Sequence, residues 1–257
     1  MRFTKMHGLG NDYVYVDCFH EETPTDPSAL SVAVAKRRTG IGSDGLILIE
    51  PSTVADARMR IYNADGSRAK MCGNGIRCVG RYLYDHGIVK KHQMEIETDS
   101  GIKYLSVPDT GDIRVDMGKS VVSEDITVNG YPITPVSVGN PHAVIMFSEQ
   151  VSDAVFYKDG PLLEKHEVFP GGVNVEFCVL KEDGSIDVRV WERGSGETAA
   201  CGTGACAVFA AYHAKGLVGN SAKVFLPGGP LLIEADKTGE IYMTGPAVTA
   251  FTGEWNA

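Results

Sequence analysis

Positive charge is in short supply. Lysine and arginine total 24 against 33 aspartate and glutamate, a formal net charge of −9 with a pI near 5.3. A surface of that sign excludes general attraction to nucleic acid or to an anionic membrane, so neither is expected as a partner. A local basic pocket for a carboxylate remains compatible with it. No run of 18 apolar residues occurs, which leaves no candidate for a transmembrane helix. The opening residues Met1 to Gly8 carry no apolar stretch of the signal-peptide kind. An Asn-x-Ser/Thr sequon is also lacking. A cytoplasmic location is the expectation.

Cys-x-x-Cys is absent, although cysteines stand at 18, 72, 78, 178, 201 and 206. Zinc ribbons and thioredoxin-like redox motifs are therefore disfavoured, and no metal is expected. A chain of 257 residues that is 43% hydrophobic buries a large core, or two smaller ones, without a disulfide framework. The cysteines should be reduced, with Cys18, Cys78, Cys178 and Cys206 serving as small core residues. Nucleotide motifs fail as well. Gly40-Ile41-Gly42-Ser43-Asp44-Gly45 matches G-x-G-x-x-G but runs into the strand-like Leu46–Ile49, where a dinucleotide fingerprint must open a helix. Gly118-Lys119-Ser120 ends like a P-loop without the leading glycine. No pyridoxal-phosphate lysine motif is recognisable.

What the chain does have is a repeat. Cys72-Gly-Asn-Gly-Ile-Arg-Cys-Val matches Cys201-Gly-Thr-Gly-Ala-Cys-Ala-Val, and the leading cysteines lie 129 residues apart, about half the chain. Each motif reads Cys-Gly-polar-Gly and then continues as an apolar, helix-compatible stretch. A cysteine at a helix N-terminus is favoured as thiolate by the unpaired N–H groups and the helix dipole. The same N–H groups bind a carboxylate. Two such thiols on opposite faces of one carbon could remove a proton and return it from the other side, which is racemase or epimerase chemistry needing no cofactor. One motif alone would read as an ordinary helix cap over a buried cysteine. The matched pair argues otherwise.

The rest of the pattern is strand-rich. Strands are predicted at 3–6, 13–17, 46–50, 58–62, 94–98, 102–107 and 113–117. Further strands are predicted at 133–138, 142–147, 174–180, 185–191, 222–226 and 230–234, with a last one near 240–244. Asp26-Pro27 opens a helix, as N-cap followed by Pro at N1. Helices follow both Cys-Gly motifs, stopping near Gly87 and Gly216, and a short one fits 160–166. Many hairpins and few strand–helix–strand alternations predict an α+β fold. The expected division is 1–117 and 118–245.

The quoted residues also resemble a known family. Lys5-Met6-His7-Gly8-Leu9-Gly10-Asn11-Asp12, Asn63-Ala64-Asp65-Gly66-Ser67 and Met71-Cys72-Gly73-Asn74-Gly75-Ile76-Arg77-Cys78 occur first. Gly139-Asn140-Pro141-His142, Asn174-Val175-Glu176, Glu192-Arg193-Gly194 and Glu197-Thr198 before Cys201-Gly202-Thr203-Gly204 follow in order. Together they are similar to the signatures of the diaminopimelate epimerase family along essentially the whole chain. The resemblance implies two pseudosymmetric domains, each a mostly antiparallel barrel-like sheet around a central helix, with residues from about 246 to 257 packing back on the first. It implies interconversion of LL- and meso-diaminopimelate, in lysine and peptidoglycan precursor biosynthesis, with no cofactor and no metal. Carried over by position, Cys72 and Cys201 are the acid/base thiols. Gly73, Asn74, Gly202 and Thr203 hold the reacting carboxylate. Asn11, Asn63, Asn140, Asn174 and Arg193 contact the amino groups and the distal carboxylate. His142 and Glu192 tune the thiols and the reacting amino group. A homodimer is implied, with Phe251 at its interface. Where some members carry a substrate-contacting glutamine, this chain has Gly45, read as a lost side-chain contact.

Arg193 and the four asparagines at 11, 63, 140 and 174 suit a substrate with a second zwitterionic end, because arginine grips a carboxylate bidentately. The alternative within enzymes is another cofactor-independent racemase of this fold, acting on proline derivatives or on an amino acid such as histidine. Related phenazine-pathway isomerases would be expected to lack the cysteine pair. The alternative outside enzymes is a non-enzymatic amino-acid binder or redox protein, which leaves the matching of the two thiols unexplained.

Overall fold

The structure, a computed structural model, describes residues 1–256. Contacts divide the chain into two units, Met1–Val115 with the segment from Gly245 onward, and Asp116–Thr244. The division falls inside a strand, between Val115 and Asp116.

The first unit begins with strands β1 (Arg2–Gly8) and β2 (Asn11–Asp17), followed by helix α1 (Pro27–Ala35). Next come β3 (Gly45–Glu50), β4 (Ala57–Asn63), the two-residue β5 (Arg68–Ala69) and helix α2 (Gly73–Asp85). The hairpin β6 (Gln93–Thr98) and β7 (Gly101–Ser106) leads into β8 (Ile113–Lys119). The second unit continues through β9 (Val121–Val122), β10 (Ile126–Val128), β11 (Tyr131–Ser137), β12 (Pro141–Phe147) and helix α3 (Asp153–Glu164). It then has β13 (Asn174–Leu180), β14 (Ile186–Glu192), β15 (Gly196–Glu197), helix α4 (Gly202–Ala214), β16 (Ser221–Leu226), β17 (Gly229–Ala235) and β18 (Glu240–Gly245). A last strand, β19 (Val248–Glu254), pairs antiparallel with β1 and belongs to the first unit.

Each unit follows the same pairing plan. In the first, β1–β2, β3–β4 and β6–β7 are antiparallel, whereas β2–β3 and β4–β6 are parallel. In the second, β11–β12, β13–β14 and β16–β17 are antiparallel, and β12–β13 and β14–β16 are parallel. A parallel pair needs a crossover connection, and here each crossover carries a helix. Helices α1 and α2 serve the first unit and α3 and α4 the second. The fold is therefore α+β and mostly antiparallel. It contains two strand–helix–strand crossovers per unit, more than the sequence pattern suggested.

Local chemistry explains the helices. Asp26 caps α1 through a 3.0 Å hydrogen bond from Ala29 N, with Pro27 at N1 where its missing N–H costs nothing. Both central helices end before a glycine in the left-handed region, Gly87 (φ 66°) and Gly216 (φ 70°), the usual stop for a helix. Helix α3 begins seven residues before the expected start, capped by Ser152, and it tolerates Pro161 inside it. Apolar residues surround α4 on nearly every side, as suits a helix enclosed by its own sheet, and it packs against β11–β14, β16 and β17. Along α2 even Arg77 and Arg81 are buried. Their guanidinium groups are satisfied partly by carbonyls: Arg77 donates to Gly73 O (3.2 Å) and Pro246 O (3.1 Å), Arg81 to Pro108 O (2.8 Å) and Asp109 O (3.3 Å). Cys78, Cys178 and Cys206 are buried, and Cys18 is partly buried at the edge of the first unit's core, against which it packs. Among the described residues no helix is long and apolar enough to cross a membrane.

Candidate active site

Both central helices start on a cysteine. Cys72 is the N-cap of α2, its Sγ accepting from Gly75 N at 3.3 Å. Cys201 is the N-cap of α4, its Sγ accepting from Gly204 N at 3.3 Å. Cysteine here does the work usually given to a Ser or Asp side chain, which satisfies one orphan N–H and leaves the sulfur at the positive end of the helix.

In the first unit, Cys72 Sγ lies 3.3 Å from Asn11 Oδ1, to which Asn74 Nδ2 also donates at 3.4 Å. The Asn11 amide is oriented by Asp44, whose carboxylate accepts from Asn11 Nδ2 at 2.9 Å and from Asp12 N at 3.1 Å. Two cations attend these acids. Lys5 Nζ is 2.5 Å from Asp12, and Arg37 is 3.1 Å from Asp44. Arg77 Nη2 donates to Asn74 Oδ1 at 2.9 Å, anchoring the polar residue of the motif. Tyr13 is buried beside this group, and that burial, followed by the Cys72 and Asp44 charges, pushes its phenol well above the usual range. Asn63 stands opposite Gly45 in the β3–β4 ladder and donates to Ser67 Oγ at 3.0 Å.

In the second unit, Cys201 Sγ is 3.6 Å from Thr203 Oγ1, which accepts from Asn140 Nδ2 at 3.3 Å. Asn140 Oδ1 lies 3.2 Å from His142 Nε2, and His142 Nδ1 lies 2.6 Å from Glu176 Oε1. His142 and Glu176 are both fully buried. Burial raises the Glu176 carboxyl, His142 opposes that shift, and Glu192 adds to it. The Cys201 thiol is pushed well up, first by burial, then by Glu192 and Glu176, against the Thr203 hydroxyl and the Gly204 N–H. Asn174 Oδ1 accepts from Arg193 N at 2.8 Å. Arg193 Nη1 donates to Gly171 O at 3.3 Å. Glu192 accepts from the Thr198 hydroxyl.

The repeat extends well beyond the two motifs. A constant interval of 129 residues relates Asn11 to Asn140, Tyr13 to His142, Gly45 to Asn174, Ile47 to Glu176, Asn63 to Glu192 and Cys72 to Cys201. The registers agree: Tyr13 pairs with Gly45 across β2–β3, as His142 pairs with Asn174 across β12–β13. Glu176 belongs to this set although the sequence reading assigned it no role. A signal existed, because Asn174 and Glu176, two apart on a strand, face the same side. Asp44 was likewise passed over. Gly45 needs reinterpretation. A Cβ there would lie 2.1 Å from Tyr62 O and 3.0 Å from Asn63 Cα, so the backbone leaves no room for a side chain at all. Phe251 is exposed on β19 and meets the Phe3 ring edge-on at 6.0 Å.

Two units of matching topology, each opening its central helix on a cysteine, place the chain in a fold class with solved members. One is a probable proline racemase from Agrobacterium radiobacter K84, with TM-score 0.73 and 20% identity over 99% of this chain and 92% of that one. Within that class the assignment is specific: the model of the diaminopimelate epimerase family matches residues 3–123 and 134–250, and the chain belongs to that family. Similar relatives named diaminopimelate epimerase include those of Methanococcus maripaludis strain C5, 50% identical, and Desulforudis audaxviator, 48% identical. Each alignment runs over 276 residues and covers 99% of both chains.

Proposed function

We propose that this protein is an isomerase that interconverts LL- and meso-diaminopimelate, with Cys72 and Cys201 as its acid and base. The observation that carries the reading is the duplicated cysteine N-cap, in a chain that belongs throughout its length to the diaminopimelate epimerase family. One sulfur, as thiolate, takes the α-proton: the C–H bond breaks, an S–H bond forms, and the electron pair stays on carbon. The other sulfur, as thiol, delivers its proton to the opposite face and becomes the thiolate. One proton enters and one leaves, so no external acid, base or electron acceptor is consumed. The developing negative charge is met by the N–H groups at the starts of α2 and α4, through the reacting carboxylate held by Gly73, Asn74, Gly202 and Thr203.

The remaining roles are those the family resemblance implies, and the chemistry of the side chains suits them. Asn11, Asn63, Asn140 and Asn174 offer both donors and acceptors, which suits ammonium and carboxylate groups together. Arg193 supplies a planar fork for the distal carboxylate. Glu192 serves the reacting amino group. The protein works in the cytoplasm as a homodimer, with Phe251 at the contact. Replacing Phe251 by glutamate should halve the mass seen by sedimentation, and an unchanged mass would remove Phe251 from the interface.

Proton NMR of the reduced protein with LL-diaminopimelate in D2O tests the reaction. The α-proton signal should be lost as the meso isomer appears. Cys72→Ala and Cys201→Ala should each slow epimerisation by roughly 10²–10⁴-fold or more, the range for losing one acid/base group. Exchange only with a proline derivative or histidine would keep the two-thiol chemistry and change the substrate. Wild-type rates in either variant would remove the mechanism.

A further inference from the structure

The two units share a scaffold but not the charge placed beside the sulfur. A Cβ added to Gly204 would be 2.9 Å from Glu176 Oε1 and 3.2 Å from Cys201 Sγ, so carboxylate and sulfur flank one small space. A Cβ added to the equivalent Gly75 would be 2.7 Å from Ile47 Cδ1 and 3.5 Å from Cys72 Sγ. The same place beside the thiol thus holds a carboxylate oxygen in one unit and a methyl group in the other. Glu192 and Asn63 differ in the same sense at their matched positions.

Resting on the two-thiol reading above, we propose that Glu176 is a positioning residue that makes the two thiols unequal, so that in the free enzyme Cys201 keeps its proton and Cys72 is the thiolate. A negative charge close to a thiol disfavours its ionisation, and the effect grows in a buried site. The groups around Cys201 are His142 on β12, Glu176 on β13 and Glu192 on β14. His142 Nδ1 hydrogen-bonds Glu176 Oε1 at 2.6 Å, and its Nε2 side is linked towards Sγ through Asn140 and Thr203, while Glu176 Oε1 lies across the Gly204 gap. Glu176 Oε2 is buried without a hydrogen-bond partner, so His142 answers only one of the two oxygens. The Thr203 hydroxyl is the counterweight, but a neutral hydrogen bond is weaker than a buried charge nearby. Around Cys72 the charges are different. Asp12 and Asp44 are matched by Lys5 and Arg37, and the Arg77 guanidinium donates to Gly73 O and Asn74 Oδ1 of the motif itself. Asn11 Oδ1 beside Cys72 Sγ favours the thiol, but it carries no net charge.

The test is alkylation of the reduced protein by iodoacetamide across a pH series, with each cysteine followed by peptide mass spectrometry. Midpoints rather than rates are compared, because Cys201 is the more buried sulfur. In the wild type the Cys72 midpoint should lie below that of Cys201. In Glu176→Gln, which keeps shape and can donate to His142 Nδ1, the Cys201 midpoint should fall by about one pH unit while Cys72 stays put. A purely structural role would move both or neither. Coincident midpoints in the wild type, or Cys201 titrating first, would overturn the proposal even if the variant failed to fold. An unmoved Cys201 midpoint in a folded variant would overturn it too. Failure of the two-thiol reading looks different: the wild type would then exchange no α-hydrogen in D2O.

Discussion

Single residues decide how the repeated motif is tolerated. Gly75 and Gly204 occupy matched positions in α2 and α4, and alanine at either would gain about 1 kcal/mol of helix propensity. The neighbours differ. Alanine at 75 presses on Ile47 Cδ1, the far end of a buried apolar side chain with a rotatable χ2 and no hydrogen bond to hold it. Alanine at 204 presses on Glu176 Oε1, which His142 holds at 2.6 Å. Gly204→Ala should therefore cost about 1–3 kcal/mol, as overpacking does, and Gly75→Ala close to nothing. Paired urea melts measure the difference, and equal midpoints would show that Glu176 is free to move. The same scale marks a limit of the sequence. Glu176 reads as a surface residue on composition alone, because charged groups are seldom buried. Its partner His142 lies 34 residues away, a pairing that no local pattern displays.

Elements were legible where a boundary is chemical and obscure where it is topological. The cysteine N-caps, Asp26-Pro27 and the stopping glycines Gly87 and Gly216 announce their helices in the sequence. Helix α3 hides its start because Gly160 and Pro161 interrupt the pattern that Ser152 and Asp153 begin. Strand β19 hides altogether: Val248–Thr252 are all exposed, so no alternation marks a strand that exists by pairing with β1. Tertiary ties between elements are equally silent. Lys215, the C-cap of α4, bonds Asp125 just before β10, at 2.8 and 2.7 Å. That Lys215 bond, with a second from Thr134, lowers the Asp125 carboxyl below its ordinary value. A depressed carboxylate contributes stability above its unfolded pKa and loses it as pH falls through the folded one. Asp125→Asn should therefore cost less than about 1 kcal/mol at pH 7, given the exposure of the pair. The gap between variant and wild type should close once the medium is acid enough to protonate Asp125 in the folded state. Denaturant melts at neutral and strongly acid pH check it, and a gap that persists in acid would assign the loss to the Thr134 bond instead.

At the scale of the whole molecule, the two units differ in how the chain completes them. The second is a continuous stretch, Asp116–Thr244, whereas the first needs both ends of the polypeptide. Strand β1 pairs with β19 from Arg2 opposite Glu254 to His7 opposite Val248. Met1 and Trp255 exchange backbone bonds of 3.1 and 2.8 Å. Arg77, buried in the central helix, donates to Pro246 O, and Gly253 lies so close under Phe3 that a Cβ would be 2.8 Å from its ring. Deleting everything after Gly245 would strip β1 of this partner and leave Arg77 short of one acceptor, a costly loss for a buried cation. The expected result is a protein whose residues 116–244 still resist proteolysis while residues 1–115 are cut. Contacts this distant in sequence also form late, since loop closure precedes any gain from them. Pulsed hydrogen exchange during refolding should then protect β12–β14 before β1 and β2. Simultaneous protection, together with a truncated chain that resists protease throughout, would mean that the first unit folds without its final strand and that β19 is an addition rather than a closure.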